Sequence, residues 1–241
     1  MTMTRRGFTI LPIIATVSSC SAATAGARLT ARPLRQSSGT MPKPGVHPLD
    51  MRRERRDTLL YVPKVVKPGC LLVVYLHGAG GDEQQGVKRL GAVAEELGFL
   101  LLSPASEGRT WDAIRGDYGV DVRLIDRSLA KVFAITAVSH VTLAGFSDGA
   151  SYGLGLGMQN GDLFQSVAAF SPGFIPDSAG LPSVAKPRIF ISHGTEDEIL
   201  PIESCSRRLV PRIKQAGYEV RYVEFAGGHT FSAALATEGL K

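Results

Sequence analysis

The chain has 241 residues, of which 44% are hydrophobic, 20% charged and 7% aromatic, and its formal net charge is +5. That is enough apolar material for one sizeable core and a single domain. The charge is unevenly placed: residues 1–56 hold 10 Lys/Arg against 2 Asp/Glu, and residues 57–241 hold 17 against 20. The basicity belongs to the N-terminal arm, and with no basic stripe on the body a nucleic-acid partner is not expected.

The first 27 residues, "MTMTRRGFTILPIIATVSSCSAATAGA", read as an export signal over 1–19. Arg5 and Arg6 form its charged start, and the apolar run Phe8 to Val17 is too short to span a bilayer. "TRRGF" resembles the twin-arginine export pattern, and "VSSC" resembles a lipobox in which Cys20 is lipidated. Cleavage at a small-residue site near Ala25-Gly26-Ala27 is the alternative. Either way the protein is expected outside the cytoplasm, as a membrane-anchored lipoprotein or a periplasmic or extracellular protein, touching a membrane only through that anchor. Residues 20–47, rich in Ala, Ser, Thr, Pro and Gly without an apolar period, read as a flexible tether to a body at 48–241. Cys70 and Cys205 are expected as buried thiols rather than a disulfide, and no metal-type spacing exists.

The body begins with two early strands, "PLDMRRE" and "DTLLYVP", joined by an Arg-rich turn. "CLLVVYL" (70–76) is a continuous apolar run, the pattern of a strand buried on both faces. A helix near 84–97 and the strand "FLLLSP" (99–104) follow. Apolar positions at helical spacing mark 117–137, and further helices fit near 149–160, 203–216 and 229–237. "HVTLAG" (140–145), "SVAAFS" (166–171), "RIFISH" (188–193) and "EVRYVEF" (219–225) complete the strands. Strands alternating with helices imply an α/β fold: a mostly parallel sheet with helices on both faces.

Gly145-Phe146-Ser147-Asp148-Gly149 is a G-x-S-x-G string, a weak signal until a strand precedes it and a helix follows. Both are expected here, which makes Ser147 the candidate nucleophile. A serine hydroxyl needs a base, and the base needs an orienting acid. Asp148 is too close in sequence to sit behind a histidine. Its backbone N–H is the useful group, and its carboxylate suits a helix N-terminus. Asp197, in "HGTEDEILP", follows a strand at the end where active sites of open α/β sheets collect. His229, in "FAGGHTF", follows the last strand. Of the other histidines, His47 lies in the tether, His140 starts a strand, and His193 ends one and is expected to bond backbone locally. His77 heads "HGAGG" as a loop-fixing residue. The N–H groups of Ala79 and Asp148 could together meet a developing oxyanion.

"LHGAGGDEQQG", "GFSDGASYGLGLG", "AFSPGF", "HGTEDEILP" and "GGHTF", taken in order over about 50–237, resemble the phospholipase/carboxylesterase family of serine α/β-hydrolases. That family is related to acyl-protein thioesterases and to small secreted polyester- or feruloyl-type esterases. The resemblance implies the α/β-hydrolase fold and cofactor-free, metal-free hydrolysis of carboxylic esters through an acyl-enzyme. Ser147 would be the nucleophile, His229 the base and Asp197 the orienting acid, with Glu196 and Glu198 pointing elsewhere. Small-molecule or polymeric esters are the implied partners. The lipoprotein-like arm departs from the simplest members and leaves location and natural substrate open. The loop "SEGRTWDAIRGD" matches the place where related enzymes line a pocket, so Trp111 and Phe174 are candidate walls, or else packing residues. Residues 172–187 contain four prolines and no helical period, so no large lid is expected and short acyl chains are favoured. The alternatives are a phospholipase or thioesterase, a polyester or feruloyl-type esterase, a peptidase or an acyl transferase on the same site. A hydrolase-like binding module without turnover is the rival from another class.

Overall fold

The computed structural model describes residues 26–35, 39–51, 56–67, 69–176 and 185–241. Apolar runs that do not alternate become the middle of a sheet, because both of their faces must be covered. Thus β3 (Leu71–Leu76), β4 (Leu100–Ser103), β5 (His140–Phe146), β6 (Ser166–Phe170) and β7 (Arg188–Gly194) form the parallel centre. β8 (Val220–Phe225) adds a parallel edge, half-exposed, with the charges of Arg221 and Glu224 on it. β1 (Gly45–Pro48) and β2 (Leu59–Val62) pair antiparallel at the other edge. The order is β1-β2-β4-β3-β5-β6-β7-β8. This is the expected mostly parallel α/β sheet.

Alternate residues of the central strands feed two separate cores. One face packs Val73, Tyr75, Phe99, Ala144, Phe146 and Phe170 against α1 (Gln84–Leu97) and α5 (Ala233–Gly239). The other packs Leu72, Val74, Leu76, Val141 and Leu143 against α2 (Val120–Ile135), α3 (Asp148–Gln159) and α4 (Ser206–Gln215). Helix α1 starts where Asp82 accepts from the N–H groups of Gln84 and Gln85, and it stops at Gly98, whose φ of 71° ends the helix with a left-handed residue.

Two expectations about the N-terminal part need correction. The segment read as a tether is bound to the body over residues 27–32. Ala27 and Leu29 are buried in the second core, and full burial of a leucine side chain contributes about 1.5–3 kcal/mol. Asn160, at the end of α3, donates to the carbonyls of Ala27 (2.6 Å) and Leu156 (2.8 Å) and accepts from Leu29 N–H (2.8 Å). Arg28 and Arg32 pair with Asp162, and Asp126 takes the N–H groups of Thr30 and Ala31. The first strand also lies earlier than "PLDMRRE". It spans Gly45–Pro48 and ends because Asp50 turns at φ 51°, with Asp57 capping the N–H groups of Asp50 and Met51. The rest of that expected strand, 52–55, and the readings on 1–19 and Cys20 lie outside the described residues. Cys70 and Cys205 are buried free thiols. No helix among the described residues is long and apolar enough to cross a membrane.

Candidate active site

The carboxyl ends of β5, β7 and β8 each launch one residue of the candidate site. Ser147 joins β5 to α3 at φ 57° and ψ −120°, a conformation that costs a non-glycine residue on the order of 1–3 kcal/mol. Its surroundings hold it there. Ser147 N–H donates to Phe170 O at 2.9 Å, and Ser147 O accepts from the N–H groups of Ala150 and Ser151, both at 3.0 Å. The flanking glycines are required by crowding. A Cβ on Gly145 would lie 2.3 Å from Gly149 O, and one on Gly149 would lie 2.2 Å from Leu76 O.

Asp197 is buried in the loop after β7, while Glu196 and Glu198 beside it are exposed. The loop after β8 is zipped onto it, with Thr195 N–H on Phe225 O and Glu196 N–H on Gly227 O, both at 2.9 Å. This brings His229 Nδ1 to 2.7 Å from Asp197 Oδ2 and His229 Nε2 to 2.9 Å from Ser147 Oγ. A carboxylate only accepts, so Nδ1 carries the imidazole proton and the Nε2 lone pair faces the serine hydroxyl. The ring rests on Phe146, centroids 4.8 Å apart. Burial alone would lift the Asp197 carboxyl. The Leu200 N–H and the His229 and His193 imidazoles outweigh it and hold the group below the usual carboxylate range.

The loop after β3 closes the site. Gly78 leaves so little room that a Cβ on it would lie 3.3 Å from Ser147 Cβ. Next to it, the N–H groups of Gly80 and Gly81 are used inside the protein, on Arg109 O (2.6 Å) and Gly78 O (3.0 Å). Asp148 is the first residue of α3, so its N–H is one of the donors a helix start leaves without an intrahelical partner. Its carboxylate accepts the Thr110 hydroxyl at 2.6 Å. His77 is a loop-fixing residue: Nε2 accepts from Ser106 N–H (3.0 Å), so Nδ1 carries the proton and donates to Gly78 O (2.8 Å). Its lone pair is spent, and burial lowers its pKa.

Of the two candidate pocket walls, only Phe174 can be one. It is 40% exposed and lines a cavity of about 680 Å³ with Ile114, Met158, Ile175 and Leu209. Trp111 has no exposed surface. Its Nε1–H donates to His77 O at 2.8 Å and its ring packs on His77 and Tyr152, so it buttresses the loop after β3 from below. Sequence reasoning missed two participants. Arg56 donates to Gly81 O (2.8 Å) and to Ser106 and Gly108 O (both 3.0 Å), bracing that same loop. His193 does bond backbone locally, at Leu200 O, but it also reaches Asp197. His140 meets Ser166 at the opposite end of the sheet, and His47 lies in β1 rather than in a tether.

A serine on a strained strand-to-helix turn, with Asp and His on later loops at the same edge of this sheet, defines a serine hydrolase of the α/β-hydrolase class. Residues 122–234, a little under half of the chain, match the model of the phospholipase/carboxylesterase family. The matched stretch contains Ser147, Asp197 and His229, whereas the His77–Gly81 loop precedes it. A comparison with curated proteins found no match. Among solved structures, the chain is similar to esterase PE8 (21% identity, TM-score 0.59, covering 74% of this chain and 94% of that one). It is also similar to the Bacillus cereus carboxylesterase (17%, 0.56, 78% and 94%) and the Aspergillus awamori acetyl xylan esterase (14%, 0.60, 81% and 98%). At these identities the likeness is one of fold.

Proposed function

We propose that the protein is a carboxylesterase of short-chain acyl esters that works through Ser147, His229 and Asp197. The observation that carries the reading is the unbroken chain of two hydrogen bonds, 2.9 Å from Ser147 Oγ to His229 Nε2 and 2.7 Å from His229 Nδ1 to Asp197 Oδ2. Ser147 Oγ attacks the ester carbonyl as its proton passes to His229 Nε2. Asp197 holds the resulting imidazolium, and the N–H groups of Ala79 and Asp148 bond the oxyanion. The C–O bond to the alcohol breaks as His229 returns the proton to it. Water then attacks the acyl-enzyme by the same route, releasing the acid and restoring Ser147. No step calls on a metal or nucleotide.

The preference for short acyl groups is supported by the connection from β6 to β7. It spans 172–187 with four prolines and offers little chain to cover a long acyl group. Each CH₂ left in water forgoes about 0.8 kcal/mol. Export by residues 1–19 and lipidation at Cys20 belong to the same proposal, supported by Arg5, Arg6, the apolar run 8–17 and "VSSC". Fractionation of a Cys20→Ser variant tests the anchor. The chemistry is tested with a fluorophosphonate label and p-nitrophenyl esters from C2 to C16. Ser147→Ala should abolish labelling and lower turnover about 10³-fold or more, and kcat/KM should fall toward C16. Undiminished hydrolysis by Ser147→Ala would overturn the triad, and a steady rise toward C16 would overturn the chain-length preference.

A further inference from the structure

Asp197 Oδ2 has two histidines on it. His229 Nδ1 lies at 2.7 Å and His193 Nε2 at 3.1 Å, while Oδ1 takes the N–H groups of Ile199 (3.0 Å) and Leu200 (2.8 Å). His193 ends β7 four residues before Asp197 and is fully buried. Its Nε2 also lies 2.8 Å from Leu200 O, and its Nδ1 lies 2.7 Å from Ser206 Oγ, at the start of α4. Both neighbours of Nε2 are acceptors only, so Nε2 must carry the proton. Nδ1 is then the acceptor, and the Ser206 hydroxyl donates to it.

We propose that His193, its other ring nitrogen held by Ser206, is a positioning residue that holds the Asp197 carboxylate in the orientation His229 needs. The inference rests on the triad reading above and adds a fourth member to it. A carboxylate held through Oδ1 alone can still tilt about its own bond, and the 2.7 Å contact to His229 Nδ1 depends on that tilt. The His193 N–H fixes the second oxygen. Burial lowers the pKa of His193, so the ring donates as a neutral group and sets no second cation beside His229. Glu224, the register partner of His193 on β8, is paired with Arg207 of α4.

The test compares His193→Leu, His193→Gln and Ser206→Ala with wild type on p-nitrophenyl acetate across pH, with folding checked by thermal melting. Glutamine keeps an N–H₂ group able to reach both Asp197 and Leu200 O, and leucine does not. His193→Leu should lower kcat about tenfold, in line with losing a hydrogen bond to a buried charge, and leave KM unchanged. The acid limb of kcat/KM should move to lower pH, because a carboxylate that tilts away holds the imidazolium less firmly. His193→Gln should restore most of kcat and the wild-type limb. Ser206→Ala should shift both readouts in the same direction as leucine, by less. A folded His193→Leu enzyme with native kcat and acid limb would overturn the proposal. So would a glutamine variant as impaired as the leucine one, since packing alone would then explain the loss. If the leucine variant fails to fold, Ser206→Ala decides: a shifted limb supports the proposal and a native profile overturns it. Ser147→Ala is run beside them. If it keeps its activity, the triad and this inference fall together; if it is dead while the His193 variants are native, only this inference falls.

Discussion

Replacing Gly149 with alanine should do more damage than any other single methyl group added to α3. The new Cβ would lie 2.2 Å from Leu76 O and 2.5 Å from His77 O. Ordinary contact begins at 3.4 Å, so one backbone segment must retreat by about 1.2 Å. Neither can do so freely. Helix α3 is tied to Ser147 through the N–H groups of Ala150 and Ser151, and β3 is hydrogen-bonded on both sides in the sheet centre. Overpacking of this kind costs about 1–3 kcal/mol, and at about 2–4 °C per kcal/mol for a domain this size the melting temperature should drop by several degrees. The retreating carbonyls belong to the residues that lead into the loop against Ser147, and a misplacement of about 1 Å near reacting groups can cost 10²-fold in rate. Two glycines one and two turns further along α3 serve as controls. A Cβ on Gly153 would meet Leu76 Cδ1 at 3.6 Å, an ordinary contact, so Gly153→Ala should be neutral or gain about 0.5–1 kcal/mol of helix stability. A Cβ on Gly157 would strike Val167 Cγ2 at 2.4 Å, so Gly157→Ala should lose stability and keep kcat. Thermal melts and kcat on a short p-nitrophenyl ester measure all three. A Gly149→Ala enzyme with native melting and kcat would refute the reasoning, as would Gly153→Ala proving equally harmful.

Asp148→Asn should lose less than tenfold in kcat, because its main-chain N–H survives and its amide oxygen can still accept from Thr110; a loss matching Ser147→Ala would contradict the roles assigned here. Asp121 is buried, and burial pushes its carboxyl from 3.8 up to about 6 against the pull of the Glu107 and Asp112 N–H groups. The folded chain therefore binds the extra proton between those values, so this stabilisation is full below the unfolded value and is lost as pH rises through about 6, by up to about 3 kcal/mol. Between pH 4 and pH 7 the melting temperature of Asp121→Asn should accordingly gain several degrees on wild type; a difference that stays flat with pH would contradict this. Asn160→Ala strips three hydrogen bonds from the junction of the arm with α3 and should cost about 1–3 kcal/mol. It should speed proteolysis within 26–35 while leaving kcat intact, and an unchanged cleavage rate would count against the docking of the arm.

The parallel sheet and its helices were legible because runs such as Leu71–Leu76 and Leu100–Ser103 admit few other placements. So was the order of Ser147, Asp197 and His229 along the chain. What the sequence hid was non-local. Leu29 lies between Arg28 and Thr30 in a segment without an apolar period, and contacts with Asn160, Asp126 and Asp162, about 95–135 positions away, make that segment part of the core. β1, "GVHP", is too short and too irregular to announce a strand, and it exists because β2 offers an unpaired edge. An aromatic residue in a pocket loop reads the same whether it faces outward like Phe174 or supports a carbonyl from beneath like Trp111. His193 showed only as the end of a strand, because its contact with Asp197 requires the turn through Thr195 and Glu196 to fold back on itself.

The docked arm also marks the end of the molecule opposite Ser147. Helix α3 begins beside Ser147 and ends at Asn160, where the arm is fastened, and its 12 residues span about 18 Å at 1.5 Å per residue. The docked segment thus lies toward the blunt end of the sheet, while Ser147 looks out from the other. Under the anchoring proposed above, the edge that carries Ser147 would face away from the supporting surface. Dissolved esters and exposed polymer chains would then reach Ser147 directly, whereas a substrate embedded in the supporting surface would meet the wrong side of the protein.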